Sequence, residues 1–349
     1  MAVTPGQAPA TAPPEGRAQP TGRRLRDIGM RLLTLREGSI IVITLITFAF
    51  FAVSVGRFAT GNSFKNLLPY FAPFAIMAAG EVFVMITGEI DLSIGAMYLF
   101  TPFLFYKLHH AGVPLYPAMI LSLIVAMGLG AANGFAVAFV GISSFVATLG
   151  MLFVLDGITL VISHATPINT PGTAVVGVNT FSQIFGEGTY SELFWALGIV
   201  AVLQLVLVLG RWGVYTVAVG GNRLGASEAG IPVRGVLIRN FMLCALLAAF
   251  TGILEAVRVS TATPDPSASN DILFQAIAAA VIGGTLLRGG AGTVVGALIG
   301  ALFLGILHDG LILKGVSANY LNLYLGIAIL IAMTMNTFVS RVRTGSGRG

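Results

Sequence analysis

Apolar stretches about 20 residues long recur along most of the chain, separated by short polar breaks marked by glycine, proline or charge. Each stretch is long enough to cross a hydrocarbon core of roughly 30 Å as a helix. Hydropathy and turn signals predict about ten spans, at 39–57, 67–87, 94–107, 116–138, 146–164, 191–210, 237–258, 272–286, 291–312 and 319–339. The expected fold class is therefore all-α, a polytopic integral membrane protein. One membrane domain over residues 39–340 lies between a disordered basic tail, 1–38, and a short tail, 341–349.

Composition agrees with a bilayer as solvent. Of 349 residues, 56% are hydrophobic and 9% charged, where soluble domains carry about a quarter charged residues. The 44 glycines suit helices that pack backbone to backbone or break. The net charge of +5 raises the question of nucleic acid, but the basic residues sit mostly between apolar spans and form no stripe interleaved with aromatics. No nucleic-acid partner is expected. With the amino terminus inside, 14 of the 19 basic residues fall on the inner side, and Arg57, Lys65, Lys107, Arg258 and Lys314 fall outside. The positive-inside bias thus places both termini in the cytoplasm of a bacterial cell, with the chain in the inner membrane. The first apolar run starts near Ser39, is too long for a secretory signal core and lacks a small-residue cleavage site, so it reads as an uncleaved span. The single cysteine, Cys244, rules out a disulfide framework and a thiol metal cluster.

Two polar segments interrupt the spans at length. Ala165–Tyr190 is rich in proline, threonine and glycine and is expected outside, with a short helix against the surface. Residues 211–240 are charged and expected inside, and a loop of that length in a membrane domain is usually functional. There Gly221 and Asn222 are turn residues, Ala226 to Ala229 favour a short helix through Ser227 and Glu228, and Gly230 with Pro232 ends it. The wording Gly221-Asn222-Arg223 followed by Ala226-Ser227-Glu228-Ala229-Gly230-Ile231-Pro232-Val233 resembles the coupling loop of importer permeases, in the branch that serves ribose, xylose and related sugars.

Two more blocks resemble the same branch: Ile86-Thr87-Gly88-Glu89-Ile90-Asp91-Leu92-Ser93-Ile94-Gly95, and the run from Ala276 through Gly283-Gly284-Thr285 to Arg288-Gly289-Gly290. The sequence departs from the family's pattern at Glu89, where glycine is commoner, and at Arg288, where a small residue is commoner. The resemblance implies the permease subunit of an ATP-binding-cassette importer for a sugar or sugar-like solute. It implies partners too: ATP-binding-cassette ATPase subunits docking on the loop, a periplasmic or extracellular substrate-binding protein, a second permease copy, and membrane lipid. No Walker A loop is present, since none of Lys65, Lys107 or Lys314 follows a glycine. The chain is accordingly expected to be no enzyme, with no cofactor and no metal, and the ATPase to be a separate polypeptide.

Five residues are candidates for the translocation pathway. Glu89, Asp91 and Ser93 sit at a glycine-bracketed break between two apolar spans, where ionisable groups are usually functional. The competing reading is that Asp91 and Ser93 cap the following helix. Asn133 and Gln275 are amides within spans, which also serve as interhelical glue. Glu255 and Arg258, three residues apart, are expected to pair on one helix face. Gly292, Gly296 and Gly300 repeat every four residues and predict a close helix contact.

Two other classes of function compete. An ion-coupled secondary transporter would use carboxylates such as Glu81, Glu89, Asp91 and Asp156. An intramembrane protease would need Ser143 or Ser144 beside His164 or His308, and the Gly-Ile-Ser-Ser sequence lacks the following glycine of a nucleophile elbow. The pair His109 and His110 has no acidic or thiol neighbour to complete a metal site.

Overall fold

Capping side chains and glycine turns, more than hydropathy, decide where the helices of this chain begin and end. The computed structural model describes residues 37–171, 179–187 and 190–345. The arginine-rich tail predicted before Glu37 lies outside the described residues.

The long helices are α1 (Gly38–Ser54), α2 (Gly61–Ile86), α3 (Ile94–His110), α4 (Leu115–Phe135), α5 (Ser144–Ser163) and α6 (Ser191–Leu209). Two short helices follow, α7 (Arg211–Gly221) and α8 (Arg223–Glu228). The chain continues through α9 (Val233–Val259), α10 (Pro266–Ile282), α11 (Val294–Leu313) and α12 (Ala318–Gly345). Helix α4 ends in a widened π-type turn, Ala136–Val140, closed by Gly141 in the left-handed conformation.

Several boundaries differ from the hydropathy reading, each for a local reason. Helix α2 starts six residues early because the Thr60 hydroxyl accepts from the Ser63 N–H. Helix α10 starts at Pro266, with Asp265 accepting from the Ser267 and Ala268 N–H groups, and stops at Ile282 because Gly284 turns the chain at φ +95°. Helix α9 starts at Val233, directly after Pro232. At the carboxyl end, α12 runs on to Gly345, so most of the expected 341–349 tail is helical and only 346–349 lies outside the described residues.

Among the described residues, six helices are long and apolar enough to cross a membrane: α2, α4 with its π turn, α5, α6, α9 and α11. This is fewer than the ten read from hydropathy. Helices α1, α3 and α10 have 17 residues each, and the apolar part of α12 is Asn319–Ile331. The six fall into two groups. The apolar windows of α2, α9 and α11 are 78%, 72% and 61% buried, whereas those of α4, α5 and α6 are 28% buried. The first three form the centre. The others turn large apolar side chains outward, among them Phe153, Val161, Phe194 and Leu209, as the surface of a membrane protein requires.

Helix α9 packs against α4, α3 and α2, and α2 in turn holds α11, α6 and α10. Two of the three spaced glycines fall on α11 and make a close contact: a Cβ at Gly300 would overlap the Ala279 carbonyl on α10 and one at Gly296 the Gly283 carbonyl just past its end, while Gly292 lies before α11 against Ile86 and Thr285. Connections at one end of the bundle, 87–93, 210–232 and 283–293, touch each other. We call this the loop end. At the far end, the two-residue strands β1 (Ile168–Asn169) and β2 (Thr261–Ala262) pair antiparallel, Ile168 opposite Ala262. The short helix expected in Ala165–Tyr190 is a turn, Thr180–Ser182, capped by Asn179 and continued by a π-type turn, Gln183–Glu187. Residues 172–178 and 188–189 of that segment are outside the described ones.

Candidate functional site

At the loop end, the polar segment 210–232 folds as two helices joined by one residue. Asn222 ends α7, its N–H donating to the Ala218 carbonyl, and begins α8, its side-chain oxygen accepting from the Gly225 N–H at 3.0 Å. The short helix expected at Ala226–Ala229 therefore begins three residues earlier. Gly230, at φ +78°, stops it. Ala226 is buried against Val219 and Val236, while Leu224, Ser227, Glu228 and Ala229 are exposed. Leu224, 71% exposed, stands in the middle of this free face.

The two helices are fastened to the bundle at both ends. At the start of α7, the Trp212 indole donates to Asn240 at 2.7 Å, and the Asn240 amide donates to the Phe83 carbonyl at 2.8 Å. At the start of α8, the Arg223 guanidinium donates to Glu89 Oε1 at 2.7 Å and to the Thr87 carbonyl at 3.1 Å. Between them, Gly220 lies so close to Ile86 that a Cβ would overlap its carbonyl oxygen, and the same oxygen accepts from the Gly290 N–H at 2.8 Å. The three blocks singled out in the sequence thus meet at one point. Glu89 has a partner in Arg223 of the 210–232 segment.

Asp91, Ser93 and Asn133 come together just inside this contact, in a network closed off from water. Asp91 Oδ1 accepts from the Ser93 N–H at 2.9 Å and from its hydroxyl at 2.6 Å, and the Ser93 oxygen accepts from the Asn133 amide at 2.9 Å. The Asp91 N–H donates to Glu81 Oε1 at 3.1 Å, and the Cys244 thiol lies 3.2 Å from Glu81 Oε2. Each of these five side chains belongs to a residue at most 2% exposed. Asp91 Oδ2 is buried with no hydrogen-bond partner. Ser93 itself makes no side-chain cap bond, and Asp91 holds the chain two residues ahead, where α3 begins.

Gln275 is not part of this group. Its side chain accepts from the Tyr70 hydroxyl at 2.9 Å in a cavity between α2, α3, α9 and α10, nearer the far end. The expected pair Glu255–Arg258 forms at 2.9 Å along the same cavity, and Arg258 also lies 3.4 Å from Glu192 of α6. Sequence reasoning missed Tyr70, Tyr98 and Glu192 here. The signal for the first two is proline: Pro69, Pro73 and Pro102 stand inside helices beside them.

The protease arrangement is not assembled. Ser144 accepts from the Ile90 N–H at the loop end of α5. His164 follows the other end of this 20-residue helix, about 30 Å away at 1.5 Å per residue. His308 stacks on Tyr70 with ring centroids 3.9 Å apart. His109 bonds the Val113 carbonyl, and His110 stacks on Tyr106.

Residues 63–333 match the model of a family described as branched-chain amino acid transport system / permease component. The xylose/arabinose import permease of Sulfolobus acidocaldarius is 34% identical over 319 residues, 87% of this chain and 86% of that protein. The ribose import permease of Escherichia coli is 35% identical over 303 residues, 86% of this chain and 94% of that one. The D-allose transport system permease of the same organism is 30% identical over 307 residues, 88% and 93% of the two chains. No solved structure matches.

Proposed function

Because the chain belongs to the branched-chain amino acid transport system permease component family, among the sugar permeases of ATP-binding-cassette transporters, we propose that it carries a sugar or sugar-like solute into the cytoplasm, driven by ATP hydrolysis on a separate subunit. In this reading all ten long helices lie in the membrane, both termini are cytoplasmic and the loop end faces the ATPase. A substrate-binding protein delivers solute at the far end. A second copy of the chain completes the transporter.

The observation that carries the reading is the α7–α8 loop. It is bonded to α2, α9 and the 87–93 break on one side, and offers Leu224, Ser227, Glu228 and Ala229 on the other. A push on α8 is delivered through Arg223 to Glu89 and Thr87, and through Gly220 to Ile86, at the end of the central helix α2. Glu228→Lys reverses charge on the free face and touches none of these bonds. Uptake and co-purification with the ATPase subunits are expected to fall together, with membrane insertion normal. Full uptake in that variant would make the loop a plain connector.

A further inference from the structure

A sugar crossing the membrane needs a stopping place of its own chemistry: flat apolar surface for the C–H faces of its ring, and planar polar side chains for its hydroxyls. A cavity of about 980 Å³ beside α6 is walled by Ile184, Phe194, Trp195, Val202 and Leu203 and offers few polar partners. It suits an acyl chain. Two adjoining cavities, one of about 490 Å³ between α2, α3, α9 and α10 and one of about 390 Å³ between α3, α9, β2 and α10, are different. They share Tyr98, Glu255, Ala268 and Ile272 as a common wall, and either falls within the size range of small-ligand sites, roughly 300–1,000 Å³.

The wall of the first cavity is aromatic and amide. The Tyr70 ring is fixed between the stacked His308 and the edge of Phe74, with centroids 3.9 and 5.1 Å away. Its hydroxyl donates to Gln275 Oε1, which leaves the Gln275 amide nitrogen and the Tyr70 oxygen to face the cavity. The charges are largely matched, since Glu255 is paired with Arg258 and the remaining carboxylate, Asp271, is exposed. Such a lining favours a neutral ligand over an anion.

A second observation is independent of these side chains. The prolines inside α2 and α3 are Pro69, Pro73 and Pro102, and all three line these two cavities. A proline lacks the N–H that the carbonyl four residues earlier would accept. The carbonyls of Lys65 and Pro69 therefore lose their helical donor in this region, and so does that of Tyr98, which is packed against Gly252 of α9. Both helices stay continuous through these prolines, and in a membrane a lost helical hydrogen bond is tolerated where it lines a cavity.

We propose that these two cavities hold a neutral monosaccharide partway through transport, its ring against the apolar wall of Pro69, Pro73 and Ile272 and its hydroxyls on the Tyr70 hydroxyl, Gln275 and Glu255. The site rests on the sugar-import reading above. From Ala75 to Ile86, on the loop side of the cavities, α2 is buried without interruption. The bound sugar thus waits at the far side of packed protein until the loop end moves α2.

The test places a thiol in the site. Ala268 lines both cavities and is exposed, Ser267 beside it lines neither, and the native Cys244 is fully buried. In vesicles holding the complete transporter, Ala268→Cys and Ser267→Cys are modified with an impermeant thiol reagent, with and without millimolar ribose, xylose or arabinose. The transported sugar should slow modification of Ala268→Cys several-fold and leave Ser267→Cys unchanged. Gln275→Ala should raise the KM for uptake roughly three- to tenfold, the size expected for one lost hydrogen bond, with ATP hydrolysis retained. Equal rates with and without sugar at Ala268→Cys, or equal protection of both positions, would overturn the site while uptake itself stays intact. Uptake of an amino acid in place of every sugar, with protection by it, would instead remove the sugar reading and the ligand class with it.

Discussion

Glu89 and Arg223 are held 2.7 Å apart with side chains 12% and 47% exposed, and ion pairs this open to water contribute only about 0–1 kcal/mol to stability. The pair therefore matters for what it connects, the α8 helix to the chain break ahead of α3. Arg223→Glu sets two carboxylates against each other and should abolish most uptake at normal expression; adding Glu89→Arg should restore a large part of it. An inactive double variant would mean that Arg223 acts through the Thr87 carbonyl or the ATPase alone. Asp91 is the opposite case, fully buried and bonded to Ser93, and we propose a structural role for it. Asn at this position keeps an oxygen for the Ser93 N–H and hydroxyl, whereas Ala leaves buried donors unpaired at about 1–3 kcal/mol. Asp91→Asn is expected to match the native chain in thermal stability and uptake, with Asp91→Ala lower in both. Loss of uptake in a stable Asp91→Asn would restore the charge to a transport role.

Among the elements, hydropathy located the centre of each helix and capping chemistry located its ends. The difference is physical. A run such as 272–286 marks apolar side chains, while α10 begins where Asp265 and Pro266 start the hydrogen-bonded turn and ends where glycines allow a left-handed one. The 210–232 segment was legible because Asn222, Gly230 and Pro232 are punctuation that reads without tertiary structure. The fastening of that segment was not, since Trp212–Asn240–Phe83 and Arg223–Glu89 join positions far apart in the chain. The arrangement of elements also carries a prediction about sidedness. Leu224 of α8 and Ala111 after α3 are exposed at opposite ends of the bundle. In intact cells Ala111→Cys should react with an impermeant thiol reagent and Leu224→Cys only after the membrane is opened; the reverse pattern would invert the topology.

For the molecule as a whole, composition and spacing disclosed an all-α membrane protein, and three ordered motifs disclosed its family. Their meeting around the Ile86 carbonyl was not visible in the sequence, because it depends on Gly220 and Gly290 reaching the same oxygen from different loops. The five pathway candidates divided by depth. Glu89 belongs to the loop end, Asp91, Ser93 and Asn133 to a buried network, and Gln275 to the cavities, a division that hydropathy alone has no means to draw. In the proposed reading, force passes from α8 through α2 to a solute waiting beyond it. The account therefore stands on ATP as the driving energy. The direct test is uptake of radiolabelled ribose or xylose into vesicles containing this chain, its ATPase subunits and the binding protein, with ATP on the ATPase side and no ion gradient. Accumulation that requires ATP and all three components is the predicted result; accumulation driven by a proton or sodium gradient with this chain alone would contradict it.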